Sequence, residues 1–194
     1  MGRDMMEPGS TVSAISAEDE AALVAAAAVD GEAFATLYRR YRLPIYRYLR
    51  VRTTSDEDAA DLVQQVFAKA FRALPEYEER GLPFRAWLFR LAQNTAIDAS
   101  RHNHQTVPLD DLSMAHEPHL PNEPEASALR ADALTRFQQL IAPLDAERRD
   151  LLTLRFVHEL PTAEIARILG KQDAAVRAQL KRALTTLKER QHDR

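Results

Sequence analysis

The 194-residue sequence contains no cysteine, and this absence excludes disulfide bonds, thiol nucleophiles and zinc sites with cysteine ligands. It also has no apolar run near the ~20 residues needed to cross a bilayer, so no membrane insertion is predicted. The first residues, MGRDMMEPGSTVSAISAEDE, are polar and acidic, unlike a signal peptide with its basic start and apolar middle. The sequence therefore predicts a cytoplasmic protein.

Motifs typical of enzymes are missing as well. The chain has only five glycines, and it contains neither a glycine-rich phosphate loop nor an HExxH motif. Carboxylate pairs such as Glu78 and Glu79 fall in a loop, where a solvated surface is the simpler interpretation. Four histidines could bind a metal ion, but they fall in a segment without periodicity: His102, His104, His116 and His119. We therefore predict no catalytic residue, no metal and no cofactor.

Charge is distributed unevenly along the chain, although the formal net charge is only -3. Residues 1–30 carry one basic and six acidic side chains, and residues 105–129 carry five acidic and no basic ones. Residues 31–104 carry twelve bases against nine acids, and residues 130–194 carry thirteen against nine. Two basic blocks separated by an acidic connector indicate a nucleic-acid partner.

Helical periodicity covers nearly the whole chain and strand signals are almost absent, so the predicted fold class is all-α. The segment 105–128 contains four prolines and neither lysine nor arginine. Its apolar surface is too small to offset the entropy of ordering, which predicts a flexible acidic linker. The predicted organisation is a disordered tail over 1–16, a helical domain over 17–104, the linker over 105–128 and a second helical domain over 129–194.

Short sequence patterns indicate where the helices of the first domain begin and end. Residues 17–29 are rich in alanine and have acids in the first turn, which favours a helix. Pro44 lies inside the second predicted helix and is expected to kink or divide it. Ser55 and Asp58 have the spacing of a capping box at the start of the third helix.

The second domain has four predicted helices, over 129–141, 145–158, 162–169 and 173–190. The last two have the spacing of a helix-turn-helix, with Thr162 as the expected cap and Gly170 in a left-handed turn. Between residues 171 and 190, six bases stand against two acids. This charge fits a recognition helix that enters a DNA major groove, and a helical hairpin with a solvated basic face is the alternative interpretation.

Five strings in this order are typical of one protein family. They are AFATLYRRY, DEDAADLVQQVF and FRAWLFRLAQNTAIDASR, followed by LLTLRFVHELPTAEIARILG and AAVRAQLKRAL. They lie within residues 31–104 and 136–190, the two parts of the chain that the resemblance covers. The chain resembles the extracytoplasmic-function (ECF) group of bacterial RNA polymerase sigma factors. The resemblance implies a sigma-2 and a sigma-4 domain that bind core RNA polymerase and direct it to promoters.

The resemblance also implies which residues make contacts. The clamp helices of the largest polymerase subunit would be contacted by Asp61, Gln64 and Gln65. The promoter -10 element would be engaged and melted, with Asn94 near an extruded base, by Arg85, Trp87, Arg90, Asn94 and Arg101. The -35 element would be read by Gln172, Ala174, Arg177, Ala178, Lys181 and Arg182. Trp87 also lies on the apolar stripe of its helix, which favours a core position.

Further partners are implied by the same resemblance. The flap of the second-largest polymerase subunit and an anti-sigma factor are expected, and the acidic linker would run toward the RNA exit channel. The sequence departs from the family pattern where Gln65 replaces a glutamate and Gln172 replaces the serine cap of the recognition helix. Asp173 is expected to cap instead, which would shift the start of that helix by one residue.

Two other functions compete with this interpretation. A stand-alone helix-turn-helix regulator would bind a palindromic operator as a dimer, and it leaves the strings in residues 31–104 unexplained. A structural adaptor would bind polymerase without reading DNA. For a sigma factor, we expect poor binding of the free chain to duplex DNA, because its acidic segments oppose its basic ones.

Overall fold

The computed structural model describes residues 17–79, 81–103 and 126–192. The predicted tail, most of the predicted linker and three of the four linker histidines (His104, His116 and His119) lie outside the described residues. The described residues form eight α-helices and no β-strand, which confirms the all-α fold class. Among these helices none is long and apolar enough to span a bilayer.

The helices form two groups. The first helical domain contains α1 Ala17–Ala27, α2 Gly31–Arg50, α3 Asp56–Ala73 and α4 Phe84–Asn103. The second helical domain contains α5 Ala126–Ile141, α6 Ala146–Leu152, α7 Thr162–Leu169 and α8 Asp173–His192. A π-type turn, Thr153–Val157, follows α6 where the sequence predicted a single longer helix. Helix α5 begins before residue 129, at which the second domain was predicted to start.

The first domain is held together by one apolar core. Helices α2, α3 and α4 each place apolar residues on one face, as amphipathic helices do. Ile45, Val66 and Leu88, one from each helix, have 0% of their surface exposed. Burying side chains of this size contributes about 1.5–3 kcal/mol each. Helices α1 and α2 are joined by a hydrogen bond, which the Tyr41 hydroxyl of α2 donates to the Glu20 carboxylate of α1.

Of the two outcomes expected at Pro44, a kink or a division of the helix, the division does not occur. The helix is continuous over Gly31–Arg50. Proline removes one backbone hydrogen bond, but Ile45, Tyr48 and Leu49 follow it directly and are fully buried. Tertiary packing of this segment therefore outweighs the local preference of proline for a break.

The two predicted N-caps have different outcomes. Ser55 caps α3 as predicted, because its side chain accepts a hydrogen bond of 3.0 Å from the Asp58 N–H. The prediction that Thr162 caps α7 is wrong, since Thr162 is the first residue of the helix and Pro161 occupies the cap position. The Pro161 carbonyl already accepts the first helical hydrogen bond, from the Ile165 N–H at 3.1 Å.

The two domains are in contact with each other, a feature that the sequence did not predict. Helix α4 packs against α7, and α2 packs against the π-type turn. Arg85 of α4 donates a hydrogen bond of 2.9 Å to Glu164 of α7. Arg52, just after α2, forms an ion pair with Asp150 of α6. These contacts join residues that are far apart in the sequence.

Candidate nucleic-acid interface

Helices α7 and α8 form the helix-turn-helix that the sequence predicted. Gly170 ends α7 with φ 64° and ψ 36°, the left-handed conformation that glycine adopts without strain at its Cβ position. The Lys171 N–H closes the turn by donating to the Ala166 carbonyl at 2.8 Å. Ile165 of α7 and Val176 of α8 are fully buried. This packing fixes the direction in which the outer face of α8 points.

The outer face of α8 carries the residues assigned to the -35 element. All six are exposed: Gln172, Ala174, Arg177, Ala178, Lys181 and Arg182. Arg177 pairs with Asp173 one turn earlier, at 2.9 Å. Within the part of the chain that the structure describes, Lys181 and Arg182 form no ion pair. A pair of uncompensated cations beside two small alanines suits close approach to a DNA backbone and its major groove.

The start of α8 is held by a polar network that the sequence analysis missed. The Lys171 ammonium and the Gln179 amide both donate to Glu147 of α6, the latter at 2.6 Å. The hydrogen bond from Lys171 holds the pKa of the Glu147 carboxyl below its usual range. Lys171 is therefore partly neutralised and acts as a positioning residue. No local pattern could reveal this, because Glu147 lies 24 residues earlier in the chain.

The expected shift in the start of α8 does not occur. The helix begins at Asp173, and the Gln172 carbonyl accepts its first helical hydrogen bond, from the Val176 N–H at 3.1 Å. Gln172 thus occupies the cap position, and Asp173 pairs with Arg177. The Asp173 carboxylate is instead paired with Arg177, one turn into the helix.

Four of the five residues assigned to the -10 element share one stripe of α4. Trp87, Arg90, Asn94 and Arg101 are separated by three, four and seven residues, the spacing of neighbours on one helical face. Arg90, Asn94 and Arg101 are exposed, whereas Trp87 is half-buried. The indole ring lies 5.0 Å from the Tyr77 ring, measured between centroids. Trp87 therefore packs on the core and also borders the polar stripe.

Arg85, the fifth residue of this set, lies apart from the other four. Its position on the helix points away from the Trp87–Arg101 stripe, toward the second domain. There its guanidinium pairs with Glu164 of α7. The structure therefore brings four of the candidate -10 residues together and engages Arg85 in a contact between the domains.

The residues assigned to the polymerase contact lie on the exposed face of α3. Asp61, Gln64 and Gln65 are all exposed. Asp61 and Gln65 line a groove of about 730 Å³ between α3 and α4, together with Asp98 and Arg52. Phe71, near the end of α3, is a large apolar residue whose surface is 54% exposed. The available surface of α3 is thus both polar and aromatic.

Comparisons with known proteins identify the family. Residues 37–106 match the family described as sigma-70 region 2, and residues 134–187 match sigma-70 region 4. The ECF RNA polymerase sigma factor SigD of Mycobacterium tuberculosis is 32% identical over 174 residues, which cover 88% of this chain and 82% of SigD. This chain belongs to the ECF sigma factors. A second relative of this sigma factor, BldN of Streptomyces coelicolor, is 29% identical over 84% of the present chain. The present chain spans 61% of the length of BldN.

Solved structures of sigma factors have the same architecture. The structure of CnrH in complex with the cytosolic domain of CnrY has a TM-score of 0.67 and 26% identity, covering 90% of this sigma factor and 97% of CnrH. RpoE of Bartonella quintana, solved with the anti-sigma factor NepR, has a TM-score of 0.59. RpoE is 18% identical over 80% of the present chain and 94% of its own, and this likeness supports the fold alone. Membership of the family also confirms that the chain is a transcription initiation factor and not an enzyme.

Proposed function

We propose that this sigma factor binds core RNA polymerase and directs it to one class of promoters with paired elements. The observation that carries the proposal is the order of the two matches, region 2 followed by region 4, on one chain. Each matched domain also exposes a helix with basic and polar side chains, α4 in the first and α8 in the second. A dimeric regulator that binds an operator would not require the first domain, so that alternative leaves the region 2 match unexplained.

In this proposal the -35 element is read by α8. The exposed stripe from Arg177 to Arg182 enters the major groove, where arginine and lysine bind guanine edges and phosphates. The network of Lys171, Glu147 and Gln179 holds the start of this helix in place. Because the bases of α8 are clustered, phosphate binding does not require a basic chain overall.

The -10 element is bound and melted by the exposed stripe of α4. Opening one base step costs a few kcal/mol, which aromatic stacking and polar contacts can offset without any covalent chemistry. Asn94 offers both donor and acceptor atoms to an extruded base, and Arg90 and Arg101 flank it with positive charge. Trp87 borders this stripe and stiffens it from the core side.

Core polymerase is contacted through α3, by Asp61, Gln64 and Gln65 along the groove and by the exposed ring of Phe71. The second domain would contact the flap of the second-largest subunit. We also propose an anti-sigma partner, a proposal supported by the complex of CnrH with the cytosolic domain of CnrY. Because polymerase and chromosome are cytoplasmic in bacteria, we place the factor in the cytoplasm.

Run-off transcription tests the proposal directly. The purified chain is mixed with sigma-free core polymerase and a genomic fragment library, and the 5′ ends of the transcripts are mapped. We expect start sites that share two spaced upstream elements and that are absent without the chain. Failure to bind core, or transcripts with random starts, would refute the proposal. Tight binding of the free chain to a palindrome would instead support the dimeric regulator.

Substitutions on α8 separate a sigma factor from a structural adaptor. Arg177→Ala and Lys181→Ala each remove an exposed cation from the stripe, and loss of one such contact costs about 1–3 kcal/mol. We expect initiation on promoters that depend on the -35 element to fall by roughly 5- to 150-fold, with binding to core unchanged. Arg190→Ala is the matched control, because it also removes an exposed cation from α8, but one that lies beyond the stripe. Unchanged initiation in all three variants would support the adaptor.

A further inference from the structure

Four basic side chains lie between residues 171 and 182, and they differ in how their charge is compensated. Within the described part of the chain, Lys181 and Arg182 form no ion pair. Arg177 pairs with a carboxylate one turn earlier, but its side chain is 65% exposed, so solvent screens this pair. Lys171 pairs with Glu147 of α6, and the Lys171 side chain is only 25% exposed. Of the four cations, Lys171 is therefore the one that the protein itself compensates best.

Glu147 holds Lys171 in a triad of hydrogen bonds and not through a single contact. The Lys171 ammonium donates to the Glu147 carboxylate and also to Oε1 of Gln179, the latter at 3.4 Å. The Gln179 amide donates to the same Glu147 oxygen at 2.6 Å. The hydrogen bonds from Lys171 and Gln179 hold the pKa of the Glu147 carboxyl below its usual range. Glu147 is therefore negatively charged at neutral pH.

The triad lies on the side of the recognition helix that borders its DNA-reading stripe. Glu147, Gln179 and Arg182 line one cleft of about 210 Å³ between α6 and α8. Arg182 is assigned to the -35 element, and Lys171 directly precedes Gln172, another residue of that set. The first residues of a recognition helix lie in the groove, next to the phosphates along its edge. A free cation at Lys171 would therefore lie beside the DNA backbone.

The charge of Lys171 has a calculable effect on DNA binding. Each cation that neutralises a phosphate releases counterions, so that log K falls with log [salt] by roughly 0.9 for each contact. At about 0.1 M salt, one further contact therefore raises the affinity roughly eightfold, whatever the DNA sequence. A lysine paired with a carboxylate makes no such contribution, because the net charge of the pair is zero.

We propose that Glu147 limits the affinity of the recognition helix for DNA by holding Lys171 away from the phosphate backbone. This inference rests on the proposed function, in which α8 binds the -35 element. Phosphate contacts strengthen binding to every sequence alike, whereas base contacts select the sequence. One mismatched base pair weakens binding by roughly 5- to 150-fold, and an eightfold gain would offset the smaller of these losses. Glu147 therefore prevents initiation at promoters with an imperfect -35 element.

Glu147→Gln tests the proposal, because it removes the charge while its amide oxygen can still accept the hydrogen bond from Gln179. Binding of the purified full chain to a labelled duplex of mixed sequence is measured by fluorescence anisotropy over a range of NaCl concentrations. We expect roughly eightfold tighter binding at about 0.1 M salt, and a dependence of log K on log [NaCl] that is steeper by about 0.9. Adding Lys171→Gln to the same chain should abolish both gains.

The salt dependence separates the proposal from a purely structural role of the triad. Loss of a structural contact would weaken binding and leave the slope unchanged, and either weaker binding or an unchanged slope would overturn the proposal. Glu189→Gln is the matched control, because it removes an exposed carboxylate from α8 beyond the stripe. Its slope should equal that of the unmodified chain. An equal increase in Glu189→Gln would reveal a general effect of net charge and would also overturn the proposal.

Run-off transcription with core polymerase supplies the second measurement. A promoter mapped with the unmodified chain is weakened by one base change in its -35 element. We expect Glu147→Gln to initiate there several-fold more often than the unmodified chain, by up to the roughly eightfold gain in affinity. Equal initiation by the two proteins would contradict the proposal. If the unmodified chain initiates at no promoter with core, the proposed function fails instead, so the two failures are distinguishable.

Discussion

At the scale of single residues, His158 is the group most sensitive to the contact between the two domains. Burial, together with the positive charges of Arg47 and Arg85, lowers the pKa of its imidazole from the ordinary value of 6.5 to about 3. The groups that face it from the first domain are Arg47 and Tyr48 of α2 and Arg85 of α4. None of these is a carboxylate that could stabilise the imidazolium. The contact between the domains therefore requires a neutral imidazole.

Acid should weaken the contact between the two domains. Because the pKa of His158 is depressed while the domains are in contact, its contribution is fully present above pH 6.5 and is lost as the pH falls toward 3. Between pH 7.5 and pH 5, uptake of one proton should shift the equilibrium toward separated domains by about 30-fold. Energy transfer between dyes on Glu57→Cys and Glu189→Cys, exposed positions on α3 and α8, measures this shift. In His158→Phe, which keeps an aromatic ring, the pH dependence should disappear, and its persistence would contradict the assignment to His158.

Residue roles could be predicted from the sequence where the cause is local. Gly170 was placed correctly because a left-handed turn between two helical patterns favours glycine at that position. The positioning role of Lys171 could not be predicted, since its partner Glu147 lies on another helix. Arg85 was grouped with the -10 residues by resemblance, and only the three-dimensional packing shows its ion pair with Glu164.

At the scale of helices, the two N-terminal caps allow a direct comparison. The Ser55 hydroxyl accepts the Asp58 N–H, whereas no side-chain hydrogen bond caps α7 in the structure. Ser55→Ala should therefore lower the free energy of unfolding by about 1 kcal/mol, the usual value of such a cap. Thr162→Ala should change it by less than about 0.5 kcal/mol. Urea denaturation followed by circular dichroism measures both, and a larger effect at Thr162 than at Ser55 would contradict the capping assignment.

Helix positions followed from the sequence because amphipathic periodicity and caps are short-range signals. The bounds of α7 were predicted at both ends, and α3 begins directly after its predicted cap. The errors arose where packing outweighs local preference. Pro44 stays within α2 because the next residues are buried, and the π-type turn Thr153–Val157 interrupts a pattern that reads as one helix. Leu154 of that turn is fully buried, so the irregular segment is still part of the core.

At the scale of the whole molecule, the contact between the two domains is the feature that could not be predicted from the sequence. Its ion pairs join residues that are 98 and 79 positions apart, across a linker with no periodic pattern. Basic and acidic residues are common in both domains, so composition alone does not select which of them will pair. The family resemblance predicted the two domains and their order, but it did not predict how the two domains pack against each other.

The two interdomain ion pairs, Arg52–Asp150 and Arg85–Glu164, should contribute unequally to the contact between the domains. Asp150→Asn leaves the Arg52 guanidinium buried without its counter-charge, and removing one partner of such a pair costs about 3–5 kcal/mol. Glu164→Gln acts on Arg85, whose side chain is 39% exposed, so solvent screening limits the loss to about 1 kcal/mol or less. Small-angle X-ray scattering at pH 7.5 should therefore show a clear increase in the radius of gyration for Asp150→Asn and a small one for Glu164→Gln.

Asp56→Asn is the control, because it breaks an ion pair inside the first domain and should leave the radius of gyration unchanged. Circular dichroism should confirm that all three variants stay helical. Equal radii for Asp150→Asn and the unmodified chain would mean that the buried pair does not hold the domains together, because the charge left on Arg52 must otherwise be relieved by separation.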